Sequence, residues 1–280
     1  ASGPAPMQRT THASPPLLAP EPQLGGTADF ARSGSLLGGT SSRLSLTGTG
    51  KLQAVLDVEA AKNACIGIIN ELEDPKAVKQ IEPFMKAASA MRQFVKDPEV
   101  QKKGCWAMAY SAVTHARYVL KAGGLDAVLG AMQQFPGEGW LQAEGCEVLR
   151  YLSMDVGGVR KILEHGGVKI VSQAMSLHPE DVYVQQNGCG ALKNMAAKDA
   201  RAVMAAGGLD MVLQVMEANP GASWVQTWGC QALMYFAKVD AKKVDSRDGF
   251  AAVKSALRAF DKAEAVRLAA EGALQYRLEP

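Results

Sequence analysis

The sequence has almost no net charge. Thirty basic against 28 acidic side chains leave +2 over 280 residues. No overall field therefore draws the chain to nucleic acid or to an anionic membrane, and electrostatic recognition has to be local. Long apolar runs are missing too. No uncharged apolar stretch approaches the roughly eighteen residues a membrane-spanning helix needs, so the expectation is a soluble protein. Catalytic signatures are also lacking. His12, His115, His165 and His178 are scattered, with no His-x-x-x-His pair, no glycine-rich phosphate loop and no nucleophile elbow. The chain is not expected to be an enzyme, and nothing in it calls for a cofactor. A site assembled across distant segments is the minor alternative.

Paired cysteines are absent as well. Cys65, Cys105, Cys146, Cys189 and Cys230 stand about forty residues apart, whereas metal sites gather ligands two to four residues apart, so no metal is expected. Each cysteine reads as a small buried hydrophobe. Five unpaired thiols point to a reducing compartment. The cytoplasm is the first expectation, with a mitochondrion or plastid as the alternative if Ala1 is a processed N-terminus.

What the sequence does have is a repeat. Gly104-Cys105, Gly145-Cys146, Gly188-Cys189 and Gly229-Cys230 follow one another at steps of 41, 43 and 41 residues, and Ala64-Cys65 and Gly272-Ala273 are read as its outer copies. Three more markers keep the same register. Gly123-Gly124, Gly166-Gly167 and Gly207-Gly208 recur, with Asp248-Gly249 as a decayed copy. Met91, Met132, Met175 and Met216 hold one phase, and Leu257 replaces the last. Val100-Gln101, Leu141-Gln142, Val184-Gln185 and Val225-Gln226 precede each Gly-Cys. A period near forty signals a stacked array whose units cannot fold alone.

Residues 1–50 are different material. Ser, Thr, Gly and Pro fill 27 of these 50 positions, too little apolar surface to offset ordering, so a low-complexity tail is expected there. From Lys51 to residue 280 the helical period takes over. Asp74-Pro75 breaks it, a short helix is expected over 76–81, and Pro83 and then Asp97-Pro98 open the next helices. Thereafter one phrase returns: a long helix carrying Gly-Cys, a short helix carrying Arg117, Arg160 or Arg201, a Gly-Gly turn, and a helix stopped by Pro136, Pro179 or Pro220. The glycine pairs permit the left-handed angles of a sharp redirection. A glycine inside each long helix costs about 1 kcal/mol against alanine, which implies close approach by a neighbouring helix. The last helix, about 263–278, carries Glu264, Arg267, Glu271 and Arg277, as an end unit with nothing beyond it should.

This pattern resembles the armadillo repeat. Val184 through Ala196, with Gly190-Ala191-Leu192-Lys193-Asn194-Met195-Ala196, is similar to that family's third helix. The resemblance implies an all-α, right-handed armadillo-like alpha-alpha superhelix of about five to six repeats, covering about residues 52–280. It further implies a groove lined by the third helices. In peptide-binding members a Trp, and an Asn four residues later, line that groove. Here Trp106 and Tyr110, Glu147 and Tyr151, Gly190 and Asn194, Gln231 and Tyr235 fill the two places, with Ile66 and Asn70 in the leading helix. Only Trp106 keeps the indole, and only Asn70 and Asn194 the amide, so binding of a basic import signal is not expected. A line of tyrosines suits a partner surface that is dry in one place and wet in another.

Two other lines keep phase. Lys76, Arg117, Arg160, Arg201 and Lys242 precede each turn by six residues, either to grip acidic peptide or phosphate or as a solvated face. Trp140, Tyr183 and Trp224 stand six before each cysteine and are expected to pack between repeats. The functional expectation is a non-enzymatic scaffold or adaptor that binds protein through the concave face. The alternative is an accessory subunit of a large assembly, with the tail wrapping neighbours.

Overall fold

The computed structural model describes the backbone of residues 49–72 and 81–277, and the side chains of 57–68 and 81–277. The tail expected over 1–50, except Thr49 and Gly50, lies outside the described residues. So do Lys76 and most of the short helix expected over 76–81, and Asn70 lies outside the described side chains.

Among the described residues the chain is helical throughout, with no strand. Three kinds of helix alternate. Second helices are α2 (Glu82–Gln93), α4 (Gly124–Gln134), α7 (Gly167–Leu177), α9 (Gly208–Ala218) and α11 (Gly249–Ala259). Third helices are α1 (Thr49–Leu72), α3 (Pro98–Lys121), α5 (Gly139–Leu152), α8 (Val182–Ala205), α10 (Ser223–Asp245) and α12 (Glu264–Leu274). One first helix stands alone, α6 (Val156–Glu164). Third helices pack side by side in the order α1, α3, α5, α8, α10, α12, and second helices in the order α2, α4, α7, α9, α11. The result is a helical-repeat solenoid of two principal layers.

The first helices differ from the sequence reading in three repeats. There they are the ends of α3, α8 and α10, set off only by non-helical backbone at His115, Asp199 and Asp240. Asp199 and Asp240 accept the backbone N–H of Ala202 and Lys243 three residues on, capping the restarted helix. The remaining repeat breaks fully between α5 and α6. Asp155 caps α6 through the N–H groups of Gly157 and Gly158, and Gly158 is required because a Cβ there would run into the Leu152 carbonyl oxygen.

The glycine-pair turns adopt left-handed backbone, with φ of 76° at Gly123, 70° at Gly166 and 91° at Gly207. Asp248 holds the same conformation at φ 60° without being glycine, one of the few residue types that tolerates it.

The helix-interior glycine serves a side chain rather than a neighbouring helix backbone. A Cβ on Gly145 would lie 2.6 Å from Met132 Cγ, and one on Gly188 2.7 Å from Met175 Cγ. Gly104 and Gly229 receive Met91 and Met216 in the same way. Three residues before each glycine, on the same helix face, the periodic glutamine donates twice. Gln142 Nε2 bonds the carbonyls of Met132 at 2.8 Å and Phe135 at 2.9 Å. Gln101, Gln185 and Gln226 repeat the pair on Met91 and Phe94, Met175 and His178, and Met216 and Asn219. The methionine carbonyls are orphans of the last turn of a second helix, while those of Phe94, Phe135, His178 and Asn219 also accept the backbone N–H three residues on. Methionine, glycine and glutamine thus form one lock per repeat.

The lock also corrects the register of the last copy. The helix caps Ala222 and Ala263 are 41 residues apart, which aligns Gly229-Cys230 with Ala270-Glu271 rather than with Gly272-Ala273. Ala270 is buried and Glu271 exposed. Cysteines face the following repeat, as Cys65 Sγ does toward the Val100 carbonyl. Among the described residues no further helix packs on α12 at this phase, and the Glu271 carboxylate lies in solvent.

Candidate functional site

The third helices carry the positions singled out in the sequence. On α3 lie Trp106 and Tyr110, on α5 Glu147 and Tyr151, on α8 Asn194, on α10 Gln231 and Tyr235. Because α3, α5, α8 and α10 are successive neighbours, the seven form two parallel rows. None is buried: Tyr110 is 39% exposed and the other six are half-buried. By contrast, Ala107, Met108, Ala109, Val148, Leu149, Ala232 and Leu233, within the same turns, are buried core. Burial pushes the Tyr235 hydroxyl above its ordinary pKa.

Two buried cations that sequence reasoning missed lie on the same helices, and Arg150 touches the rows at Glu147 and Tyr151. Arg150 is only 9% exposed and Lys193 6%, and they occupy one phase, where the flanking repeats carry Ala109 and Met234. Arg150 Nε donates to Asn187 Oδ1 at 3.1 Å, and a terminal guanidinium nitrogen lies 3.6 Å from Glu147 Oε1. The guanidinium also covers the Tyr151 ring at 4.3 Å. Lys193 Nζ lies 5.5 Å from the centre of the Trp228 ring, and Trp228 meets Trp224 edge-on at 5.9 Å. Such cation–ring contacts contribute about 0.5–2 kcal/mol each, more where water is excluded. Gly190 makes the layer possible, since a Cβ there would lie 2.7 Å from Arg150 Cδ and 3.1 Å from Trp228. The signal in the sequence was the cation one residue before Tyr151 and Asn194.

Asn194 has a different immediate task from the one its phase suggests. Its side-chain N–H donates to the Arg150 carbonyl at 3.0 Å. Because α5 stops at Leu152, that carbonyl has lost its helical partner, and Asn194 and the Ser153 hydroxyl supply bonds instead. Asn187 likewise donates to the Ala143 carbonyl at 3.3 Å. The amides therefore stitch α8 to α5.

Glu144, also on α5, adds a titratable group. Its Oε2 is buried without a hydrogen-bond partner. Burial first, and the Glu147 carboxylate second, push its pKa up to about 8. At neutral pH it is mostly an uncharged acid. The cysteines are all buried and unpaired. Burial pushes the thiol of Cys65 to about 11 and those of Cys146, Cys189 and Cys230 to about 12, with Cys105 also raised. Thiols held protonated in this way are poor nucleophiles. Among the described residues no three His, Cys, Asp or Glu side chains gather as metal ligands would.

The cationic line falls elsewhere. Arg117, Arg160, Arg201 and Lys242 are exposed on the first-helix segments beyond the kinks, off the two rows, and Arg160 Nε lies 3.8 Å from Glu164 Oε1. Lys76 lies outside the described residues. The packing expected of the aromatic trio is found only at Trp224. Trp140 is 42% and Tyr183 56% exposed. Each lies in the first turn of its helix, and the next residue, Leu141 or Val184, takes the buried place. No helix among the described residues is long and apolar enough to cross a membrane.

No family model and no curated protein matches the chain in sequence. Solved structures do match in fold. Two engineered proteins, crystallised by the Northeast Structural Genomics Consortium, each superpose with a TM-score of 0.61. One is 19% identical, over 82% of this chain and 93% of its own; the other is 20% identical, over 82% and 92%. A third engineered protein from the same consortium gives a TM-score of 0.58 at 19% identity, over 80% of this chain and 59% of its own. At such identities the likeness speaks for the fold alone.

Proposed function

We propose that the chain is a non-enzymatic, armadillo-like scaffold or adaptor that binds a protein partner along its third-helix face. The observation that carries this reading is the pair of rows. Seven residues on four adjacent helices stay partly exposed, four of them aromatic, although each is flanked by buried core within one turn. Aromatic rings held rigidly at a surface provide large contact area at low entropic cost. Arg150, packed against Tyr151 and Glu147, supports that rigidity in the middle of the rows. Solenoids commonly use such extended repeat surfaces for binding. Protonated thiols and the absence of a nucleophile elbow support the non-enzymatic part.

The test is quantitative capture of partners from the source lysate with the wild-type chain and with Tyr110→Ala/Tyr151→Ala. Two central aromatic anchors are together worth about 2–4 kcal/mol, a loss of roughly 30-fold or more in affinity. A folded double variant that captures the same proteins at the same yield ends the proposal.

A further inference from the structure

From α3 to α10, each third helix sends one side chain back against the third helix before it, from the position two residues ahead of the cysteine. On α3 this is Lys103. Burial raises the Cys65 thiol and Lys103 partly offsets it, which puts the ammonium on the α1 side. On α8 it is Asn187, which donates to the Ala143 carbonyl of α5 and accepts from Arg150 Nε. On α10 it is Trp228, set against Gly190 and Lys193 of α8. On α5 it is Glu144, which adds to the effect of burial in raising the Cys105 thiol on α3. Three of the four seams thus hold a lysine, a bonded amide and an indole, and the α3–α5 seam holds an acid. Glu144 is half-buried as a residue, but its Oε2 is closed off from solvent without a hydrogen-bond partner. An ionised carboxylate in that place has no compensating bond, so the closed seam favours the protonated form.

The charged groups on the surrounding helices leave Glu144 uncompensated. On α5 itself Glu147 is a second carboxylate, and Arg150 turns to Asn187 on the α8 side. From α3, Lys102 is held by Glu138 at 3.0 Å and Lys103 serves the seam before. The one charged side chain of α4, Asp126, lies 3.2 Å from His165. Lys169 of α7 and Arg160 and Lys161 of α6 are exposed, while Lys193 of α8 lies over Trp228 and Asp181 lies toward Cys146. Among the described residues no cation stands at ion-pair distance from Glu144. We infer that the α3–α5 seam is a pH-sensitive joint of the stack: it closes over Glu144 as the uncharged acid and opens with release of that proton to solvent. In the open seam the carboxyl meets water and titrates at its ordinary value of 4.5, against about 8 when closed. The open population therefore grows about tenfold per pH unit between these values and levels off above the higher one. Acid keeps the joint shut. Opening parts Trp106 and Tyr110 from the other five row residues, whereas the α5–α8 seam, tied by Asn187, Asn194 and Arg150, stays closed over the same range. The joint belongs to the stack and does not depend on what the face binds.

Hydrogen exchange of the full chain, resolved by segment with mass spectrometry from about pH 6 to about pH 8, reads the joint directly, with labelling times scaled for the intrinsic effect of pH. Amides of α3 and α5 are expected to lose roughly a hundredfold in protection relative to those of α8 and α10 over these two units. Glu144→Gln keeps the shape without the proton, and Glu144→Asn copies the side chain of the α5–α8 seam. In both variants α3 and α5 should follow α8 and α10, with circular dichroism confirming that each is folded. Cys105→Ala removes the other titratable group of the seam and should leave the pH response in place. Three results overturn the inference: wild-type exchange in α3 and α5 that changes only in step with α8 and α10; the same excess in both Glu144 variants; or its disappearance in Cys105→Ala.

Discussion

The contact between Gly188 and Met175 sets two elementary effects against each other. Alanine in place of a helix-interior glycine gains about 1 kcal/mol of backbone propensity. Here the added methyl would lie 2.5 Å from Met175 Sδ and 2.7 Å from its Cγ, so the base of the methionine side chain, and not only its tip, has to move. Met175 is almost fully buried, and overpacking of such a core costs about 1–3 kcal/mol. Gly188→Ala is therefore expected to lose about 1 kcal/mol net. Met175→Ala alone leaves a cavity worth about 2–5 kcal/mol. In the double variant the new methyl fills part of that cavity, so the cycle should show a favourable coupling of about 1–2 kcal/mol. Urea unfolding followed by circular dichroism gives the four stabilities. Hydrogen exchange in α7 and α8 localises the loss, since solenoid stability is a sum over units and interfaces. A Gly188→Ala variant as stable as wild type, with additive losses in the double, would refute the lock.

The other expectations concern the same helices. Gln142→Leu removes the side-chain donor of the Met132 carbonyl and one of the two donors at Phe135, which keeps the Glu138 N–H, and should cost about 1–3 kcal/mol. Arg267→Leu, at the same phase in the last repeat and exposed, should change stability by less than about 0.5 kcal/mol, and denaturant midpoints compare the two. Glu144 titrates near 8 in the folded chain against an ordinary value of 4.5, so between these pH values the unfolded chain gives up its proton first. Stability should fall as pH rises through that window, by up to about 1.4 kcal/mol per unit, and level off above it. Thermal melts from pH 5 to about 9 should show Glu144→Gln flattening the profile, and an unchanged slope would place the carboxyl in water.

The repeat, its period and its helical character were legible in the sequence because four markers keep one register. What register does not reveal is which phases touch. That methionine, glycine and glutamine converge on one point follows from how a second helix lies on its third helix, and only the three-residue step from glutamine to glycine hinted at it. The end of the array misled for a related reason. Gly272-Ala273 looks like the marker, but the helix cap sets the phase, and the cysteine place falls on the exposed Glu271. The candidate rows were legible as positions on adjacent helices. The use of Asn194 was not, because it answers a break in the neighbouring helix at Ser153. Trp140 and Tyr183 were expected inside and lie outside, since one step in the first turn of a helix exchanges the buried place with the next residue.

The reading of the third-helix face as the binding face is tested most directly by site-specific photocrosslinking. A photo-reactive phenylalanine analogue is placed in turn at Tyr110, Tyr151 and Tyr235, and at Arg117 and Arg201 on the first-helix segments, in the full chain within its source cell extract. The account requires one and the same partner adduct from the three tyrosine positions and none from the two arginine positions. Adducts from the arginine positions alone, or from all five alike, would contradict it.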